Sequence, residues 1–232
     1  MIDHGKRGSI RKLLASIAGF ASVASVHGQT SAEEEDAREV AKLYSTKPIR
    51  VKMQDHQYVI PANYFSPKGR DEPDEMDAPA GFGFFLFLPD YNGYTQENWR
   101  NQFIRRLIQV VDVNPDARYH KSEIIFESMK RSLEPAPSVE AHGLKGHFWR
   151  NRQNRGVYWI GRRSNGEFFL LQTSLAPGEQ PPDVDFSPTC RTGYFSDAEG
   201  LFISYHYSQD HMAQWRQIDD AIWAKLHSWR TA

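Results

Sequence analysis

Cysteine is nearly absent from this sequence. Cys190 stands alone in 232 residues, so no intrachain disulfide braces the fold and the core must hold it. Long apolar runs are missing too. With a mean hydropathy of −0.63, the chain lacks the succession of ~20-residue apolar stretches that repeated membrane crossing requires. Nor does one charge dominate. Twenty-eight Lys and Arg face 29 Asp and Glu, which removes the cationic excess behind sequence-independent nucleic-acid binding. The sequence has no G-x-S-x-G elbow, H-E-x-x-H pair, P-loop or paired C-x-x-C. What it does have is hydrophobic material, 40% overall and 13% aromatic, too much for a wholly disordered chain. At ~100–200 residues per domain, the length fits one domain with a small appendage.

The amino terminus carries a targeting pattern. Lys6, Arg7, Arg11 and Lys12 precede an apolar, small-residue stretch over 13–26, too short to span a bilayer comfortably. Small residues at −3 and −1 direct cleavage before Ser25 or before Gln29. The expectation is a signal peptide at 1–28, export to the periplasm, and no stable membrane insertion after cleavage. Losing those residues removes four basic groups and one acid, taking the formal charge from −1 to −4.

Residues 29–48 read as an amino-terminal helix or spacer, with Ser31 and Glu34 spaced as a capping box. From 49 onward the patterns imply one α+β domain reaching 232. Val51, Met53, Tyr58 and Ile60 suggest a hairpin, and 66–80 a proline-punctuated loop. Residues 82–88 are a continuous apolar run of the kind buried on both faces. Thr95 caps a helix carrying Trp99, Phe103 and Leu107, and Ser122 opens another with Ile125, Met129 and Leu133 on one face. Strands are expected at 108–113, 143–149, 156–161, 167–171, 191–195 and 201–207, with Asn165-Gly166 as a hairpin turn. Trp215, Ile218, Ile222, Leu226 and Trp229 form the apolar stripe of a closing amphipathic helix, with Asp219 assigned to its wet side. Consecutive hairpins with separate helices predict an antiparallel sheet packed by helices.

Two charged stretches attract a functional reading. Asp71, Glu72, Asp74, Glu75 and Asp77 crowd into seven residues without EF-hand order. They form either a solvated loop or a patch that steers a basic protein partner. Residues 142–163 interleave Arg150, Arg152 and six other basic or histidine residues with Phe148, Trp149, Tyr158 and Trp159. Strand alternation puts the aromatics inside and the arginines in water. The alternative offers Arg150, Arg152 and Trp159 to a protein partner, phosphate or acidic glycan. The pairs His142 and His147, and His206 and His211, lack both one-face helical spacing and a third ligand, so no metal, cofactor or catalytic residue is assigned. His206, on the face opposite Tyr205, would need Asp183 or Asp185 for acid–base work, and reads more simply as structural. Cys190 reads as a small buried hydrophobe or an unpaired thiol.

Ile60-Pro61-Ala62-Asn63-Tyr64-Phe65, Leu88-Pro89-Asp90, Gly93-Tyr94-Thr95 with Asn98, then Cys190, Tyr205 and Trp215-Arg216-Gln217-Ile218 occur in an order that resembles a known group. Its members are small exported Gram-negative periplasmic proteins, some similar to type VI secretion immunity proteins. Such relatives often carry a second cysteine where this chain has Gln172-Thr173-Ser174, so the bridge the resemblance implies cannot form. Export, the missing catalytic motifs and the separated acidic and basic segments lead to a non-enzymatic binding protein, and the resemblance implies, as the finer reading, an immunity protein that inhibits a secreted antibacterial toxin. An envelope hydrolase with a scattered His/Asp site and an anionic glycan- or phosphate-binding module are the alternatives.

Overall fold

Alternating apolar residues send most of the chain into strands, and the structure, a computed structural model, is an α+β fold. It describes residue 41 and residues 44–65, 74–100, 103–115, 121–150, 156–181 and 187–231, all in a unit running Val40–Ala232. The expected signal peptide, the start of the spacer, Asp71, Glu72, Arg152, Asp183 and Asp185 lie outside the described residues.

The small sheet is built from β1 (Pro48–Met53), β2 (His56–Pro61) and β3 (Glu75–Asp77). The large sheet contains β4 (Phe82–Phe87), β5 (Leu107–Asn114), β6 (Val139–Ala141), β7 (Leu144–Phe148), β8 (Val157–Arg162), β9 (Phe168–Thr173), β10 (Thr189–Ser196) and β11 (Leu201–Ser208). Its order is β4-β5-β11-β10-β9-β8-β7-β6, antiparallel throughout. A two-residue β12 (Arg230–Thr231) completes the small sheet beside β2. The helices are α1 (Gln96–Arg100), α2 (Phe103–Arg106), α3 (Ser122–Met129) and α4 (Trp215–Trp229).

Residues paired across antiparallel strands share a face, so the register sorts the large sheet into two sides. One side carries Tyr205, Ile203, Tyr194, Leu171, Phe169 and Trp159, all at most 1% exposed. Against them α4 lays Trp215, Ile218, Ile222, Leu226 and Trp229, as the stripe predicts. Trp215 stacks on Phe169 with centroids 4.5 Å apart, and Trp229 meets Phe84 and Tyr64 edge-on at 5.1 and 4.7 Å. The small sheet joins the same core through Ile49, Val51, Met53, Tyr58 and Ile60. On the other side α3 covers β9 through Phe126, packed with Leu133 and Leu170.

Several local expectations shift. Thr95 does cap α1: its Oγ1 accepts from Asn98 N at 3.1 Å, and Asn98 Oδ1 accepts from Thr95 N at 2.9 Å. The helical run ends at Arg106, however, because Leu107 opens β5. The apolar run in β4 is largely buried on both faces although it lies at a sheet edge: Phe84 and Leu86 are fully buried on one face, and Tyr94 packs Phe85 and the buried Phe87 on the other, at 5.7 and 5.0 Å. Part of the acidic loop is a strand, since Glu75–Asp77 pairs parallel to β1. Asp219 belongs to the core, at 1% exposure.

Candidate functional site

Asp219 is the centre of a buried polar cluster on the covered side of the sheet. Its Oδ1 accepts from Tyr194 Oη at 2.5 Å and from Tyr205 Oη at 2.7 Å, and its Oδ2 accepts from Arg163 Nε at 2.8 Å. Trp223 Nε1 donates to Tyr194 Oη at 2.7 Å. The Arg163 guanidinium lies over the rings of Tyr194 and Trp223, 4.7 and 5.3 Å from their centroids, and pairs with Glu167 as well. Burial and the Asp219 carboxylate both push the Tyr194 and Tyr205 phenols well above their ordinary range, so both stay protonated donors. Each of these polar groups has a partner among the described residues. The cluster locks α4 to the sheet rather than serving chemistry.

The opposite side of the sheet is different. There the register places Phe85, Gln109, His206, Arg191, Gln172 and Tyr158 in one row, each directly paired with the next across β4, β5, β11, β10, β9 and β8. At ~4.8 Å per strand the row runs roughly 24 Å. Arg191 and Gln172 are exposed; Phe85, Gln109, His206 and Tyr158 are half-buried. Arg191 makes no ion pair or side-chain hydrogen bond among the described residues. A bulge in β5 between the partners of Ser204 and Tyr205 extrudes Val111, which is 50% exposed. Gly83 permits it: a Cβ there would sit 2.7 Å from the carbonyl oxygens of both Val110 and Val111.

His206 also lines a cleft of about 830 Å³ at one end of this side, with Arg105, Glu179, Pro188, Ser208 and Gln209. Gln209 fixes the wall by gripping Leu175 at both backbone groups, accepting from its N at 3.2 Å and donating to its O at 3.0 Å. Burial, and then the nearby Arg191, hold the His206 imidazole below its ordinary pKa, so it is neutral at pH 7. No carboxylate among the described residues orients it for proton transfer.

The residues singled out for a partner do not converge. Asp74 pairs with Lys47 at 2.8 Å and Glu75 with Arg50 at 3.5 Å, all well exposed. Lys47 holds the Asp74 carboxyl below its ordinary range through a hydrogen bond and its charge. Asp77 is exposed at the end of β3. Arg150 is exposed, with its Nε donating to Leu133 O at 2.7 Å. Trp159 is fully buried, its Nε1 donating to Thr173 Oγ1 at 3.0 Å, which leaves no indole surface for a partner. Its burial follows from the alternation that turns Trp159 to the covered side of β8 while its neighbour Tyr158 faces the other. Cys190 is buried opposite Tyr207, and burial pushes its thiol up to about 12, leaving it chemically quiet. Among the described residues no three His, Cys, Asp or Glu side chains gather as a metal site, and no helix is long and apolar enough to cross a membrane. Arg191, Gln109 and Gln172 were missed because one-strand alternation marks a residue as outward but not which outward residues become neighbours.

No family model matches the chain, and no curated protein matches it in sequence. Among solved structures, the fold is similar to that of an immunity protein of the Stenotrophomonas maltophilia type IV secretion system. That chain is 14% identical, with a TM-score of 0.57, and the match covers 82% of this chain and 95% of the other. The likeness is one of fold. The neighbour serves a type IV system, whereas the sequence resemblance pointed to type VI relatives.

Proposed function

We propose that this chain is an exported, periplasmic, non-enzymatic binding protein, and specifically an immunity protein that occludes a secreted antibacterial toxin. The observation that carries the reading is the fold shared with a secretion-system immunity protein along nearly that protein's whole length. The basic–apolar–small order of residues 1–28 supports export. An open sheet side with a neighbouring cleft supports binding, and the quiet Cys190 and unoriented His206 fit a protein without catalytic duty. Asp71, Glu72, Asp74, Glu75 and Asp77 are proposed to speed encounter with a cationic rim on the toxin, an effect on association rate that fades with salt. The hydrolase alternative gains nothing among the described residues, because no carboxylate there reaches His206.

The test is protection. Cells expressing a toxin-like protein directed to the periplasm should survive when this chain is co-expressed with residues 1–28. They should die when it is retained in the cytosol without them. Survival in both cases would contradict the periplasmic reading. Death in both, across the toxin-like genes adjacent to this chain's gene, would contradict immunity.

A further inference from the structure

The open side of the large sheet has a chemical character that narrows what it receives. Arg191 is its one fully charged group in the row, exposed at the centre and unpaired among the described residues. Its row neighbours are neutral: Gln109 and His206 toward β4, Gln172 and Tyr158 toward β7. The next outward pair on β10 and β11 is Gly193 and Ser204, and the Phe202 ring lies over Gly193, where a Cβ would meet it at 3.3 Å. Asp112, paired with Ser204 on this side, is half-buried and accepts from Asn114 Nδ2 at 2.6 Å, so it is already engaged. Burial holds its carboxyl above the ordinary range, against the Asn114 hydrogen bond. Phe85 and Val111 add apolar surface at the β4 end.

A guanidinium exposed among amides and aromatics on a rigid sheet is poised for the bidentate geometry of a carboxylate. Arginine and aromatic side chains are also the groups that anchor protein interfaces. We infer that this side is a docking surface for an acidic segment of a protein partner, whose carboxylate seats on Arg191 while an adjoining apolar side chain packs on Phe85 and Val111. The inference rests on the immunity reading for the partner's identity, and adds the partner's chemistry and where it binds. Gln109 and Gln172 flank the carboxylate as hydrogen-bonding groups. Neutral His206 adds no second charge until an anion arrives to favour its protonated form.

The experiment is amide NMR of the full chain titrated with acetyl-Glu-Phe-Asp-Glu-amide, with the isosteric Gln-Phe-Asn-Gln peptide as control. Shifts should cluster on β5, β9, β10 and β11 around Arg191, weaken with salt, and be absent with the neutral peptide. Arg191→Gln should weaken the acidic peptide at least about tenfold, and Arg191→Lys should restore part of it. Shifts centred elsewhere, or equal affinity in Arg191→Gln, would overturn the inference. Concentration-dependent pairing of two copies through this side would overturn it too. Peptide binding at Arg191 without protection from any toxin would reject the immunity reading alone. Protection that persists while the peptide ignores Arg191 would reject this surface alone.

Discussion

The two sides of the large sheet are built from the same strands and differ in how far they are covered, α4 packing along one while α3 covers only the β9 part of the other. The covered side buries Trp159, Phe169, Tyr194, Tyr205 and the α4 stripe, and its one charged cluster, around Asp219, is fully hydrogen-bonded. The open side leaves Arg191 and Gln172 in solvent and lines a cleft with His206. A charge in the core has to be neutralised by its own fold, because an uncompensated buried ion costs several kcal/mol. A charge on a rigid open sheet costs almost nothing to leave unpaired, which keeps it available. The difference separates residues that hold the molecule together from residues free to bind.

That separation breaks most visibly at Asp219. Asp219→Ala removes one of the two carboxylates that meet Arg163 and the shared acceptor of two phenols, and should lower stability by about 3–5 kcal/mol in urea unfolding. A loss below about 1 kcal/mol would mean the cluster is wet or rearranges. Trp215→Ala removes a stacked, buried indole and should cost a comparable ~3–5 kcal/mol. An unchanged unfolding midpoint would contradict the packing of α4 on β9. On the open side Arg191→Gln should leave stability within about 0.5 kcal/mol, as surface changes without packing roles do.

The smallest effect sharpens the geometry of the row. His206 should titrate below the ordinary imidazole value, because burial and then Arg191 disfavour its proton. Its folded pKa lies below the unfolded one, so the unfolded state binds more protons and stability falls as pH drops through the unfolded value of about 6.5. Arg191→Gln should raise the His206 midpoint in an NMR titration by removing one of the two causes. An unmoved midpoint would mean the two side chains are not neighbours.

The covered side was legible in the sequence and the open side was not, for a physical reason. Burial imposes a period, so Trp215, Ile218, Ile222, Leu226 and Trp229 announced their helix, and Leu201, Ile203, Tyr205 and Tyr207 their strand face. Thr95 and Asn98 likewise declare a helix start through local hydrogen bonding. Asp219 was misplaced because its partners Arg163, Tyr194 and Tyr205 are distant in sequence, and only the fold makes a buried carboxylate affordable. β3 and β12 were missed since three- and two-residue strands have no period to read. The row through Arg191 depends on register across six strands, and neither charge density nor motif spacing encodes register. For the same reason the dense clusters at 71–77 and 142–163 drew attention that the solitary Arg191 did not.

The most direct measurement is the affinity of the wild-type chain and of Arg191→Glu for the purified toxin-like protein used to test the proposed immunity role, alongside the unfolding midpoint of each. The account predicts at least a tenfold loss of affinity, ~1.4 kcal/mol, with an unchanged midpoint. Equal affinity at an equal midpoint would contradict it, because the open side of the sheet would then play no part in binding.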